Sequence, residues 1–166
     1  KSFKLMDQVH IYTDGSSRGN PGPGGYGIVM EQVGKNFKKE FAQGYRKTTN
    51  NRMELLAVIV ALEKIKKPEI PITVFTDSKY VSDAVNKKWI DGWIRRKWKN
   101  VKNVDLWKRF IKAYNQAPAK FVWIKGHNDH PQNERCDKLA VYAATHPENH
   151  LVDEGYEAGE KNLFKK

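Results

Sequence analysis

Val9-His10-Ile11-Tyr12-Thr13-Asp14-Gly15-Ser16 and, further along, Phe75-Thr76-Asp77-Ser78 share an aromatic-Thr-Asp-small signature. In the first, Val9, Ile11 and Thr13 alternate with His10, Tyr12 and Asp14, which is the two-residue period of a strand. Each stretch ends a predicted strand on an aspartate. If the strands are parallel neighbours, both carboxylates emerge side by side at the carboxyl edge of the sheet, where open α/β sheets place their ligand sites. Carboxylates that close repel, and their pKa values rise unless a cation compensates. A hard divalent ion such as magnesium is the usual remedy. One aspartate ending a strand is more often a turn or helix cap; it is the pair that suggests chemistry.

Working outward, residues 15–25 read as a turn-rich Gly/Pro loop. Residues 26–32 and 37–45 read as two strands joined in a hairpin at 33–36. A helix is predicted over 50–66, with Leu55, Val58, Leu62 and Ile65 at helical spacing and Asn51 with Glu54 resembling a capping box. Pro68 and Pro71 bracket a break before a strand over 72–77. Short helices follow over 78–85 and 90–99, then a helix over 104–116 that Pro118 stops. A strand over 120–125, a loop over 126–131 and a helix over 132–146 complete the pattern, the last with Cys136, Leu139, Ala140 and Ala143 on one stripe. A hairpin followed by helix–strand alternation implies an α/β fold, a five-stranded mixed sheet flanked by helices. After Pro147 the chain turns polar and loses its period, which predicts a loosely docked or disordered tail over 148–166. Residues 1–8 form an N-terminal extension.

The 166 residues suit one domain, and 39% hydrophobic residues supply a core. The net charge of +11 attracts polyanions, of which nucleic acid is the commonest. One cysteine, Cys136, excludes an internal disulfide and a cysteine-based zinc site, and suits a reducing, cytoplasmic setting. No apolar run approaches the length of a membrane span.

Two further acids stand out. Glu54 falls in the first turn of the best helix, where a capping role would explain it. Asp137 follows Cys136 on a mostly apolar stripe with Ala140, Val141 and Ala144, and an acid there needs a partner such as Arg135 or Lys138. Residues 87–102 gather Lys87, Lys88, Arg95, Arg96, Lys97, Lys99 and Lys102 against one acid, Asp91, with Trp89, Trp93 and Trp98 interleaved. That mixture fits phosphate contact plus stacking, although Trp89 and Trp93, four apart, could equally pack local helices.

Four blocks together resemble type 1 ribonuclease H of the bacterial type. They are Thr13-Asp14-Gly15-Ser16 with Gly19-Asn20-Pro21-Gly22-Pro23-Gly24-Gly25-Tyr26-Gly27; Thr48-Thr49-Asn50-Asn51-Arg52-Met53-Glu54-Leu55; Thr76-Asp77-Ser78 with Tyr80-Val81; and Lys125-Gly126-His127 with His130-Pro131-Gln132-Asn133-Glu134-Arg135-Cys136-Asp137. The resemblance implies a ribonuclease H-like catalytic domain over 9–147. In it, Asp14, Glu54, Asp77 and Asp137 hold two magnesium ions (manganese able to substitute) about the scissile phosphate of an RNA–DNA hybrid. One ion activates a water and the other stabilises the leaving 3′ oxygen, so the RNA strand is cut to 5′-phosphate and 3′-hydroxyl ends.

By the same resemblance His127, in a polar loop and with a side chain that titrates near neutrality, assists proton transfer or product release; a solvated loop histidine is the alternative. Asn20, Asn50 and Asn51 would meet the hybrid in its minor groove, where amides can read 2′-hydroxyls; as an alternative, Asn50 and Asn51 could be helix caps. Thr49, with Arg52 nearby, belongs to a pocket for a DNA phosphate. Residues 87–102 match a basic protrusion that handles the DNA strand. The expected state is a monomer, with the last stretch either a peptide for a partner or a solvated tail. A non-catalytic hybrid-binding module would have no reason to collect four repelling acids. An integrase-like nuclease would lack the Asn50-Asn51 block and the basic tryptophan excursion.

Overall fold

The computed structural model describes residues 7–126 and 130–163. Five strands form one sheet: β1 (Gln8–Ser17), β2 (Gly22–Val33), β3 (Phe37–Thr48), β4 (Ile72–Thr76) and β5 (Lys120–Trp123), in the order β3-β2-β1-β4-β5. The β1/β2 and β2/β3 pairs are antiparallel, and β4 runs parallel to both β1 and β5. Thr13 faces Thr76 in the β1/β4 register, so the residues that follow, Asp14 and Asp77, stand at the same end of the β1/β4 pairing. The condition under which the repeated signature juxtaposes the two carboxylates is thus met.

The helices are α1 (Asn50–Glu63), α2 (Lys79–Asn86), α3 (Trp89–Arg95), α4 (Val104–Gln116), α5 (Pro131–Ala144) and α6 (Glu154–Leu163). The central helix α1 buries Met53, Leu55, Leu56, Ala57, Val58, Ile59, Ala61 and Leu62, being apolar nearly all round. It lies between the sheet and α4, whose Trp107 and Phe110 complete the main core. The opposite face of the sheet is covered by α5, with Tyr12, Val29 and Cys136 in a second cluster flanked by Phe75 and Leu139.

Several sequence expectations change, among them the helix over 90–99, which ends at Arg95. The strands of the hairpin extend further than their alternation suggests, and β2 begins at Gly22 inside the Gly/Pro stretch, because ladder bonds to β1 persist through Ser17↔Gly24. Helix α1 is capped by Thr49, whose hydroxyl accepts from Arg52 N at 3.3 Å, so neither Asn50 nor Asn51 is the cap and Glu54 is not a capping-box acid.

A further change is at the C-terminus. Residues 147–163 are folded onto the domain: a 3-10 turn (Pro147–Asn149), a bridge from Leu151 to Tyr45, then α6. What holds them is polar and therefore invisible to apolar periodicity. Asp153, 7% exposed, accepts from Thr48 Oγ1 at 2.7 Å and from Arg52 Nε at 2.8 Å. It also caps α6 by accepting from Tyr156 N at 3.2 Å. Arg46 and Glu157 add a two-pronged ion pair at 2.7 and 2.8 Å.

Candidate active site

Asp14 follows the last β1 residue that pairs with β4, Asp77 follows β4, and Glu54 lies on the first turns of α1. One carboxylate oxygen from each lies within 4.8 Å of the others. Gly15 makes this approach possible. A Cβ there would sit 2.5 Å from Glu54 N and in collision with the Met53 carbonyl, so only glycine lets α1 lie against the end of β1. The Gly15 amide in turn donates to Asp14 Oδ1 at 2.9 Å. Within the turn-rich stretch 15–25, this glycine joins strand to helix. The sequence signal for that role is its place directly after Asp14.

The three acids sit uneasily together. Burial first, then the charges of Asp77 and Asp137, push the Asp14 carboxyl up to about 8, with only the Gly15 amide acting against them. Glu54 is likewise raised well above the ordinary carboxylate range, by burial and then by Asp14 and Asp77. Glu54 Oε1 is shut from solvent and, among the described residues, meets no hydrogen-bond donor. An oxygen-only cluster with a buried, unpaired carboxylate oxygen fits a hard divalent cation, which would supply the missing positive charge. Asp137, on α5, is exposed and its carboxylate stands outside this tight set, although it is near enough to act on Asp14 by charge and by a side-chain hydrogen bond. Arg135 pairs with Glu40 at 2.8 Å, so it is not the partner that the sequence reading considered for Asp137. His127 lies outside the described residues.

Beside the acids, Asn20 and Asn50 bind the first loop to the start of α1. Asn50 Oδ1 accepts from Ser17 N at 2.7 Å, and Asn20 Oδ1 accepts from Asn50 N at 3.0 Å. Both amide oxygens are thus engaged, while among the described residues neither NH2 group donates a hydrogen bond. Asn51 is exposed on the same turn. Ser17, to which the sequence reading gave no role, is the residue that Asn50 grips. Arg52 is not available to a phosphate beside Thr49. Its side chain is 4% exposed, and its guanidinium is consumed by Asp105, Asp153 and Asn103.

The basic excursion splits into two kinds of residue. Lys87, Lys88, Arg95 and Arg96 are exposed, as is Trp89 at 42%, with Lys87 Nζ 5.9 Å from its ring centre. Trp93 is half-buried and packs edge-on against Trp107 at 5.1 Å. Lys88, Lys97, Trp98, Asn100 and Asn103 all adopt left-handed backbone conformations, a cluster of locally unfavourable turns that packing must hold.

The RNase H family profile matches residues 6–145. The ribonuclease H of Salmonella paratyphi C is 52% identical over 159 residues, covering 93% of this chain and 99% of its own. Among solved structures, LC9-RNase H1, a type 1 ribonuclease H with the type 2 active-site motif, superposes with a TM-score of 0.76 at 33% identity, over 92% of this chain and 80% of that one. LC11-RNase H1, solved in complex with an RNA/DNA hybrid, gives 0.60 at 28% identity, over 82% and 96%. A family match over most of the length, together with a strand order that brings the signature acids to one edge, establishes that the chain belongs to the RNase H family, as a bacterial-type, type 1 ribonuclease H.

Proposed function

We propose that the chain hydrolyses the RNA strand of RNA–DNA hybrids with two magnesium ions held by Asp14, Glu54, Asp77 and Asp137, manganese being able to replace them. The observation that carries this reading is the convergence of Asp14, Glu54 and Asp77 within 4.8 Å, at a pKa cost that a divalent cation would relieve. When bound, the ions lower the pKa of an attacking water and take up charge on the leaving 3′ oxygen, which gives 5′-phosphate and 3′-hydroxyl ends.

The protein's own part is to position the acids and the duplex. Asp14, its Oδ1 held by the Gly15 amide and coupled by charge to Asp77 and Asp137, would be one of the residues that hold the ions. Asp137, exposed, provides an adjustable fourth carboxylate. His127, by the family resemblance, exchanges protons with water or the product oxygen. The free NH2 groups of Asn20 and Asn50, with Asn51, meet the 2′-hydroxyls and base edges of the shallow groove, and this is how RNA is told from DNA. Thr49 takes a phosphate of the DNA strand. Lys87, Lys88, Arg95 and Arg96 neutralise further phosphates, while Trp89 offers an exposed face and Trp93 anchors the excursion.

No helix among the described residues is long and apolar enough to cross a membrane. We place the enzyme as a monomer in the cytoplasm. The test is incubation with end-labelled hybrid, duplex RNA and duplex DNA, with and without magnesium. Cleavage confined to the RNA strand of the hybrid, and dependent on the divalent ion, is expected; cleavage in chelator, or of the DNA strand, contradicts the reading.

A further inference from the structure

Trp123 is the last residue of β5, and its side chain is 41% exposed although large and apolar. Its indole Nε1 donates to the Asp77 carbonyl oxygen at 3.1 Å. The Lys79 ammonium lies 5.0 Å from the centre of the same ring. One side chain therefore touches both ends of the segment Asp77-Ser78-Lys79, which leads from β4 into α2. The middle of that segment is held independently: Ser78 N donates to Thr76 Oγ1 at 3.0 Å, and Ser78 Oγ accepts from Val81 N at 3.2 Å. Just beyond Trp123, Ile124 N bonds the Thr76 carbonyl at 2.9 Å, and a Cβ on Gly126 would lie 3.1 Å from Asp77 Oδ2. The end of β5 thus forms a wall against Asp77, and the indole N–H is the side-chain contribution to that wall.

We propose that Trp123 is a positioning residue for the reaction, setting the Asp77 carboxylate through its main chain and holding the Lys79 cation at the rim of the acid cluster, where it meets the phosphodiester backbone of the substrate. The two halves use different parts of the ring. The N–H fixes Asp77, since a hydrogen bond to the carbonyl limits rotation of that peptide. The π face holds Lys79, since a cation over an indole is favoured most strongly among the aromatic rings. The large exposed area follows, because the site must stay open to a duplex. The β4/β5 register, with Thr76 opposite Trp123, brings the indole against the Asp77–Lys79 segment.

The inference rests on Asp77 being a metal-binding acid, and the test separates the two. Trp123→Phe keeps the ring and removes the N–H; Trp123→Ala removes both; Lys79→Met removes only the cation. Magnesium affinity is measured by calorimetry on the substrate-free protein, alongside kcat, KM and the melting midpoint. Loss of one well-placed hydrogen bond predicts that Trp123→Phe weakens magnesium binding and lowers kcat by about five-fold, with KM within about two-fold and the midpoint hardly moved. Trp123→Ala adds a rise in KM, which Lys79→Met reproduces without weakening magnesium. Parent-like magnesium affinity in Trp123→Phe overturns the inference, as does a loss of activity that merely tracks a falling midpoint. Asp77→Asn serves as the reference: if it cleaves normally, the metal reading itself fails, whereas if it is inactive and Trp123→Phe is unaffected, only the role of Trp123 falls.

Discussion

Arg52 Nε lies 2.8 Å from Asp153 Oδ2, with the two side chains 4% and 7% exposed. This pair joins the first turn of the helix that carries Glu54 to the cap of the last helix. Thr48 Oγ1 and Asp105 complete the network, so every arm of the guanidinium is used. Removing one partner leaves a buried charge. We expect Asp153→Ala to lower stability by about 3 kcal/mol, read as a shift in the urea midpoint. A shift below about 0.5 kcal/mol would show that the C-terminal helix is merely apposed.

Asp105 gives the network a pH signature. The Arg52 hydrogen bond holds its carboxyl below the ordinary range. Protons therefore bind the unfolded chain more readily than the folded one. The stabilisation is present above about pH 4 and is lost as pH falls through the lowered folded value. Asp105 is half-exposed, so the effect is modest. Asp105→Asn should flatten the acid limb of a stability–pH profile measured below pH 4; an unaltered limb would assign acid unfolding to other carboxylates.

Asp14 behaves in the opposite sense. Burial and the neighbouring acids raise its carboxyl to about 8, so the folded state holds the proton more tightly than the unfolded state. Without divalent ions the folded protein should lose stability as pH rises from about 4 towards 8, and magnesium should bind more tightly over the same interval because it displaces that proton. Asp14→Asn should stabilise the metal-free protein at pH 7 by about 2 kcal/mol, measured by chemical denaturation in chelator. Equal stability of parent and variant would mean that the acids are less strained than their geometry implies.

The handle offers a separate test. Neutralising Lys87, Lys88, Arg95 and Arg96 should raise KM more than it lowers kcat and reduce the salt dependence of hybrid binding by about 0.7–0.9 in the log–log slope per lost phosphate contact. An unchanged slope would remove these residues from the interface.

The parts of this molecule legible in sequence are those where local pattern and tertiary demand agree. The Thr-Asp echo at Asp14 and Asp77 brings the two carboxylates together on the condition that their strands are parallel neighbours, and β1 and β4 meet that condition. Helix α4 matches its predicted span because Pro118 leaves no ambiguity at its end. Glu54 was harder to read. Its spacing from Asn51 suggests a cap, yet Thr49 holds that position and turns Glu54 toward Asp14 and Asp77. The C-terminal helix was lost for a related reason: Asp153 and Glu157 are polar anchors whose partners, Arg52 and Arg46, lie far away in the chain. The sequence places Arg52 near the Thr49 pocket, and only the structure shows that two distant carboxylates, Asp105 and Asp153, engage it.

The central claim is that acids from separate elements share divalent ions over a phosphodiester. The most direct measurement compares the parent and Asp14→Asn on a labelled hybrid in magnesium, following single-turnover cleavage and equilibrium binding in parallel. Cleavage lower by about 1,000-fold or more, with binding within a few-fold of the parent, is the predicted result. Cleavage by Asp14→Asn at the parental rate would contradict it.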